Sequence, residues 1–184
     1  MPKGKKQNIS LRMTAALAML AAISIILGKY LAIPVGDTLR FSFENLPIIF
    51  AGIAFGAIPA ILVAITADVV GCVLVGFAIN PVVTLGAAAI GALSGVIPML
   101  IKKHTKIKRL PLVIITVITS HIIGSVIIKT LGLAAFYNMP VTILMLWRML
   151  NYTAVGSLEI LLIFILFSRE EVCREIDKIR QKSK

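Results

Sequence analysis

The chain has 184 residues, of which 59% are hydrophobic and 15% charged, and its mean hydropathy is +1.00. Soluble domains average roughly 45–50% apolar and about 25% charged residues, so this composition excludes a small soluble protein. The long apolar stretches also lack the alternating polarity, over segments of about 10 residues, that a membrane β-barrel requires. The sequence therefore predicts an all-α polytopic membrane protein.

The net charge of +11 is explained by where the cations lie. Fifteen of the 19 Lys and Arg residues fall in three clusters, at residues 3–12, 102–109 and 169–184. Cytoplasmic segments of membrane proteins are enriched in Lys and Arg. We therefore place all three clusters, and with them both termini, on the cytoplasmic side, and we expect no nucleic-acid partner.

In chain order the sequence predicts six transmembrane helices in a single domain over residues 1–184. The first apolar segment is longer than that of a signal peptide and is followed by no A-x-A-like cleavage site, so we expect it to remain as a span. The apolar stretch after residue 46 is too long for one crossing, and Gly56 and Pro59 offer a break within it. The predicted spans are about 11–33, 46–57, 59–79, 81–101, 110–133 and 140–167.

Two of these spans carry polar side chains at helical spacing, where such residues are costly and usually face a cavity or a partner. Facing polar stripes form either the walls of a substrate cavity open to the outside or an interhelical hydrogen-bond network. We expect the cavity. The stripes are Arg148, Tyr152 and Glu159 with Asn151 beside them in the sixth span, and His121, Ser125 and Lys129 in the fifth.

Four cations, Lys29, Arg40, Lys129 and Arg148, are expected at the outer level of the bundle. Each either contacts a ligand or extends to the lipid headgroups, and Lys29 is compatible with both. Asp68 lies midway through the third span, where an unpaired carboxylate is expensive. We therefore expect it to be neutral, paired or bonded to a ligand.

The sequence contains no G-x-S-x-G elbow, no H-E-x-x-H pair and no Gly-rich phosphate loop with Lys and Ser or Thr. Cys72 and Cys173 have no metal-ligating partner at the usual spacing. We therefore predict that the chain is not an enzyme, has no catalytic residue and needs no cofactor or metal.

The most specific string in the chain is RFSFENLP at residues 40–47, and ADVVG follows at residues 67–71 in the third span. With six spans and the small residues Ala18 and Ala22 in the first span, these strings resemble the folate-family substrate-binding (S) components of energy-coupling factor (ECF) vitamin transporters. The resemblance extends over nearly the whole chain.

This resemblance implies a high-affinity vitamin binder in the bacterial plasma membrane, which captures its substrate outside and releases it inside by toppling. Its implied partners are a transmembrane coupling protein and two cytoplasmic ATPases of an ABC-type importer. Ala18 and Ala22 would form the face that docks on the coupling protein, because small residues let helices approach closely. The loop over about residues 33–45 would close over the substrate as a lid.

The substrate implied by the resemblance is folate or a reduced folate, and the chemistry of the residues agrees with it. Cations can hold the two carboxylates of its glutamate tail, Glu44 or Asp68 can bind the amidine-like edge of the pterin, and aromatic rings can stack on it. The predicted substrate-binding residues are Arg40, Phe43, Glu44, Asp68, Lys129, Tyr137, Trp147, Arg148, Asn151 and Tyr152.

Two alternatives stay open. One is an S component for another vitamin, such as thiamin, riboflavin or pantothenate, although cationic thiamin fits poorly among four outer cations. The other is a stand-alone secondary transporter, but such transporters show inverted repeats and paired broken helices that are not evident here.

Overall fold

The computed structural model describes residues 10–35, 39–104 and 107–181. This part of the chain forms a helical bundle with one short antiparallel hairpin, β1 (Ile33–Val35) and β2 (Leu39–Phe41). The helices are α1 (Leu11–Ile25, continued by a π-helical turn at Ile26–Tyr30), α2 (Asn45–Phe55), α3 (Ala57–Leu74), α4 (Pro81–His104), α5 (Arg109–Ser120, continued by a π-helical segment at His121–Ile128), α6 (Lys129–Tyr137), α7 (Val141–Ser168) and α8 (Glu170–Gln181).

Five helices in the described residues are long and apolar enough to cross a membrane. α2 is equally apolar but has only 11 residues. This helical architecture confirms the all-α prediction, to which the hairpin is a small addition. The five helices are Leu11–Tyr30, Ala57–Leu74, Pro81–Lys103, Arg109–Tyr137 and Val141–Ser168.

The helix ends have local causes. Gly56 adopts a φ of 99°, a backbone conformation that favours glycine, and it separates α2 from α3 where the sequence predicts a break. Pro59 lies in the first turn of α3, where a missing N–H costs little. The prediction that the third span reaches residue 79 is wrong, because Gly76 with a φ of 71° turns the chain after Leu74. The first span ends at Tyr30 and does not extend to residue 33, because the chain has left the helix and begins β1 at Ile33.

The described members of the three basic clusters meet at one end of the bundle. Arg109 Nη1 at the start of α5 donates a hydrogen bond to the carbonyl of Phe167 at the end of α7 (2.7 Å). The ring of Phe167 lies 5.0 Å from that of Phe50 in α2. Ile176 of α8 is buried in the same apolar cluster as Met13 at the start of α1. We call this end, formed by the starts of α1 and α5 together with α8, the basic end.

α3 and α4 approach so closely at Gly91 that a Cβ there would lie 2.7 Å from the carbonyl carbon and oxygen of Ala60. We expect Gly91→Ala to destabilise the bundle by about 1–3 kcal/mol, because overpacking against backbone forces the helices apart. This exceeds the roughly 0.5–1 kcal/mol that alanine gains over glycine within a helix. Thermal unfolding in detergent measures the effect, with the exposed Leu85→Ala on the same helix as control. An unfolding midpoint equal to that of the parent would contradict this packing.

Candidate substrate cavity

A cavity of about 260 Å³ lies among the helix ends opposite the basic end. Its walls come from the π-helical turn after α1, the segment before α2, the ends of α3 and α6, and the starts of α4 and α7. Four charged side chains from separate parts of the chain line it, namely Lys29, Glu44, Asp68 and Arg148. Charged side chains within so apolar a bundle cost free energy, and such residues usually mark a binding site.

Glu44 and Lys129 form an ion pair at the base of this cavity. Lys129 is only 3% exposed, and its Nζ donates a hydrogen bond to Glu44 Oε1 (2.7 Å). Ser24 Oγ donates to the backbone carbonyl of Glu44 (2.6 Å), which holds the segment before α2 in place. The contact between Glu44 and Lys129 joins opposite charges, so Glu44 offsets most of the charge of Lys129.

Asp68 keeps one carboxylate oxygen available. Thr84 Oγ1 donates to its Oδ2 (2.6 Å), and in the described part of the chain no donor reaches the other oxygen. Asn80 fixes the start of α4 nearby, because its Oδ1 accepts from the backbone N–H of Val82 (3.0 Å) and its Nδ2 donates to the carbonyl of Gly132 (2.9 Å). Asp68 can thus accept a hydrogen bond from a ligand while it keeps the hydrogen bond from Thr84.

Arg148 and Lys29 have no ion-pair partner among the described residues. Arg148 Nη1 donates to the backbone carbonyl of Ser125 (2.7 Å), its Cζ lies 5.9 Å from the centre of the Tyr152 ring, and its buried Nε meets no acceptor in the described part of the chain. Among the described residues, the hydrogen-bond acceptor that Lys29 Nζ reaches is Cys72 Sγ (3.7 Å), which is a weak one. These two cations suit the carboxylates of an anionic ligand.

The predicted substrate-binding residues are distributed as follows. Trp147 is 50% exposed and does not line the cavity. Asn151 is buried on α7 and is also outside the lining. Phe43 is half-buried in the turn before α2 and lies outside the lining. The backbone of Arg40 pairs with Pro34 in the hairpin, but its side chain lies outside the described residues. Five predicted residues line the cavity, Glu44, Asp68, Tyr137, Arg148 and Tyr152, and Lys129 supports it from below.

Several lining residues were not predicted. Lys29 belongs to the cavity, although the sequence left headgroup contact equally open for it. Phe77, Asn80 and Phe136 also line it. Asn80 had a readable signal, since an Asn directly before Pro81 is typical of a helix start. Phe77 and Phe136 had none, because an apolar ring in an apolar segment looks the same whether it faces lipid or ligand.

The sequence allowed two interpretations of the polar stripes, a cavity or an interhelical hydrogen-bond network, and the structure contains both. Lys129, Arg148 and Tyr152 lie at the cavity. His121 and Glu159 instead form a hydrogen bond inside the bundle, with 2.5 Å between Nε2 and Oε2. On α1, Ala18 and Ala22 are exposed, as a docking face requires.

The sequence pattern of one protein family, described as ECF transporter, substrate-specific component, matches residues 12–169. Among solved structures, the fold is similar to the crystal structure of FolT bound with folic acid, with a TM-score of 0.69 and 21% identity over 85% of this chain and 93% of that one. It is also similar to the S component of a bacterial ECF transporter, with a TM-score of 0.61 and 21% identity over 85% and 96% of the two chains. No curated protein matches the sequence.

Proposed function

The chain belongs to the family of ECF transporter substrate-specific components, and we propose that within it the chain binds folate or a reduced folate. Membership makes it a membrane protein that binds a substrate for transport. The likeness to FolT bound with folic acid supports folate as the substrate. We place the chain in the plasma membrane of a bacterium, as one domain without ATPase activity.

We further propose that the chain crosses the membrane six times with both termini in the cytoplasm. The basic end then faces the cytoplasm, in accord with the positive-inside rule, and the cavity opens outside. α2 would be the sixth crossing segment. At 1.5 Å per residue its 11 residues span about 17 Å, which is enough because the chain enters α2 at the base of the cavity, deep in the bundle.

The observation that carries the substrate assignment is the uneven charge of the cavity. Glu44 and Lys129 neutralise each other, which leaves the cations Arg148 and Lys29 with Asp68. A ligand that fits carries anionic groups for the two cations and hydrogen-bond donors for Asp68, as folate does. We propose that Asp68 binds the edge of the pterin and that Arg148 and Lys29 hold the glutamate carboxylates.

Isothermal titration of the purified chain in detergent tests this proposal. We expect saturable binding of folate without ATP and without any partner, because the cavity lies within this one chain. Thiamin, riboflavin and pantothenate serve as comparison ligands, and thiamin should bind worst because its cation meets Arg148 and Lys29. Saturation by one of these vitamins and not by folate would contradict the folate assignment.

Delivery of the substrate would require a transmembrane coupling protein and two cytoplasmic ATPases, with Ala18 and Ala22 as the docking face. The exposure of both alanines on α1 supports this role. Uptake in a host lacking those partners tests it. Folate accumulation by the chain alone would favour a stand-alone secondary transporter.

A further inference from the structure

Three polar side chains form a buried network behind the cavity, further toward the basic end. His121 and Ser125 lie on the π-helical segment, and Glu159 lies on α7. Glu159 is 0% and His121 3% exposed. His121 Nε2 lies 2.5 Å from Glu159 Oε2, and its Nδ1 lies 3.3 Å from Ser125 Oγ. No residue of this network has a place in the substrate binding proposed above.

Two contacts join this network to the cavity wall. The ring of His121 is stacked on Tyr152, with 4.6 Å between ring centres and an angle of 26° between planes. The backbone carbonyl of Ser125 accepts the hydrogen bond from Arg148 Nη1. Arg148 also lies over the Tyr152 ring. The two groups that contact its guanidinium, the Ser125 carbonyl and the Tyr152 ring, therefore both belong to the network or pack against it.

A network that only joined helices would be expected to satisfy both oxygens of so deeply buried a carboxylate. Glu159 Oε1, however, has no hydrogen-bond partner among the described residues. The helix that carries His121 and Ser125 is π-helical at this point, and such wider turns are frequent at functional sites. These features are more typical of a constraint that serves a site than of general helix packing.

We propose that His121 and Glu159 are positioning residues for the anionic end of the ligand. Glu159 orients the imidazole of His121, and His121 in turn fixes the Tyr152 ring and the turn that carries the Ser125 carbonyl. Together these hold the Arg148 guanidinium in the geometry that binds a carboxylate. The inference rests on the proposed function, because it assigns the tail of folate to Arg148.

The test combines single and double variants with two ligands, folate and a pterin without the glutamate tail. We expect His121→Ala and Glu159→Ala each to lower the affinity for folate about tenfold, since a misplaced guanidinium loses much of one charge-assisted hydrogen bond. The affinity for the pterin should change much less. In an Arg148→Ala background the loss caused by His121→Ala should disappear, because residues that act through one another are not additive.

Two further variants separate positioning from folding. Glu159→Gln keeps an acceptor for His121 Nε2 and should retain most of the affinity for folate, even if Glu159→Ala fails to fold. Thr116→Ala removes a hydroxyl that is as buried as Glu159, from the helix that continues into the π-helical segment. Among the described residues this hydroxyl bonds only to the carbonyl of Leu112 (2.7 Å), so both affinities should stay unchanged.

Equal losses for both ligands, or a loss that persists undiminished in the Arg148→Ala background, would overturn the positioning role while leaving the proposed function intact. Failure of the parent chain to bind folate at all would instead refute the proposed function, and with it this inference.

Discussion

Replacing Arg148 by Ala is expected to lower the affinity for folate on the order of ten- to a hundredfold, because hydrogen bonds to charged groups contribute about 1.5–3 kcal/mol each. In the proposed binding mode, the substitution leaves a ligand carboxylate in a partly dry site without the Arg148 guanidinium. A pterin without the glutamate tail never makes this contact, so its affinity should stay close to that of the parent. Titration of both ligands into the parent and the variant measures the difference.

Arg174→Ala is the matched control, since it removes the same side chain from an exposed position on α8 at the basic end. It should leave both affinities unchanged. Equal losses of folate and pterin affinity in Arg148→Ala would mean that the cavity wall is disturbed, and would falsify the assignment of Arg148 to the tail. Arg40 remains a further candidate for the tail, which Arg40→Ala tests in the same way.

Replacing Ala18 or Ala22 by Trp is expected to abolish folate uptake while leaving folate affinity nearly unchanged. Both residues are exposed on α1, at a spacing that places them on one face of the helix. An indole there prevents the close helix approach that small residues permit, yet neither position lines the cavity. The measurement pairs uptake in cells that contain the proposed coupling protein and ATPases with titration of the purified variant.

Leu161→Trp is the control for added bulk, because Leu161 is also exposed but lies on α7 and not on α1. Uptake should survive this substitution. Normal uptake in both alanine variants would mean that this face of α1 contacts only lipid, and a loss of binding in either would point to a misfolded bundle.

Much of the architecture is readable from the sequence because the bilayer imposes it on each segment separately. A span must be long and apolar, whatever its neighbours are, so composition alone predicts an all-α membrane protein. Local chemistry also predicts the break at Gly56, where φ is 99°. The strings at residues 40–47 and 67–71, together with the predicted spans and the small residues of the first span, likewise indicate the family, which the match over residues 12–169 confirms.

The limits of this reading appear first at the helix ends. α3 stops at Leu74 although the apolar run continues, because Gly76 turns the chain. β1 and β2 are formed by short segments without strong alternation, and they depend on pairing with each other. Hydropathy does not register such turns, since it reports the environment of a residue and not its backbone conformation.

Only the tertiary structure decided which charges pair and which stay available. Glu44 meets Lys129 across 85 positions of sequence, and His121 meets Glu159 across 38. Arg148 bonds to a backbone carbonyl and finds no carboxylate among the described residues. Periodicity places a side chain on a face of its own helix, but the depth and rotation of that helix are set by packing against helices distant in sequence. For that reason the sequence predicts the polar stripes of this protein, and the fold alone separates the cavity from the network behind it.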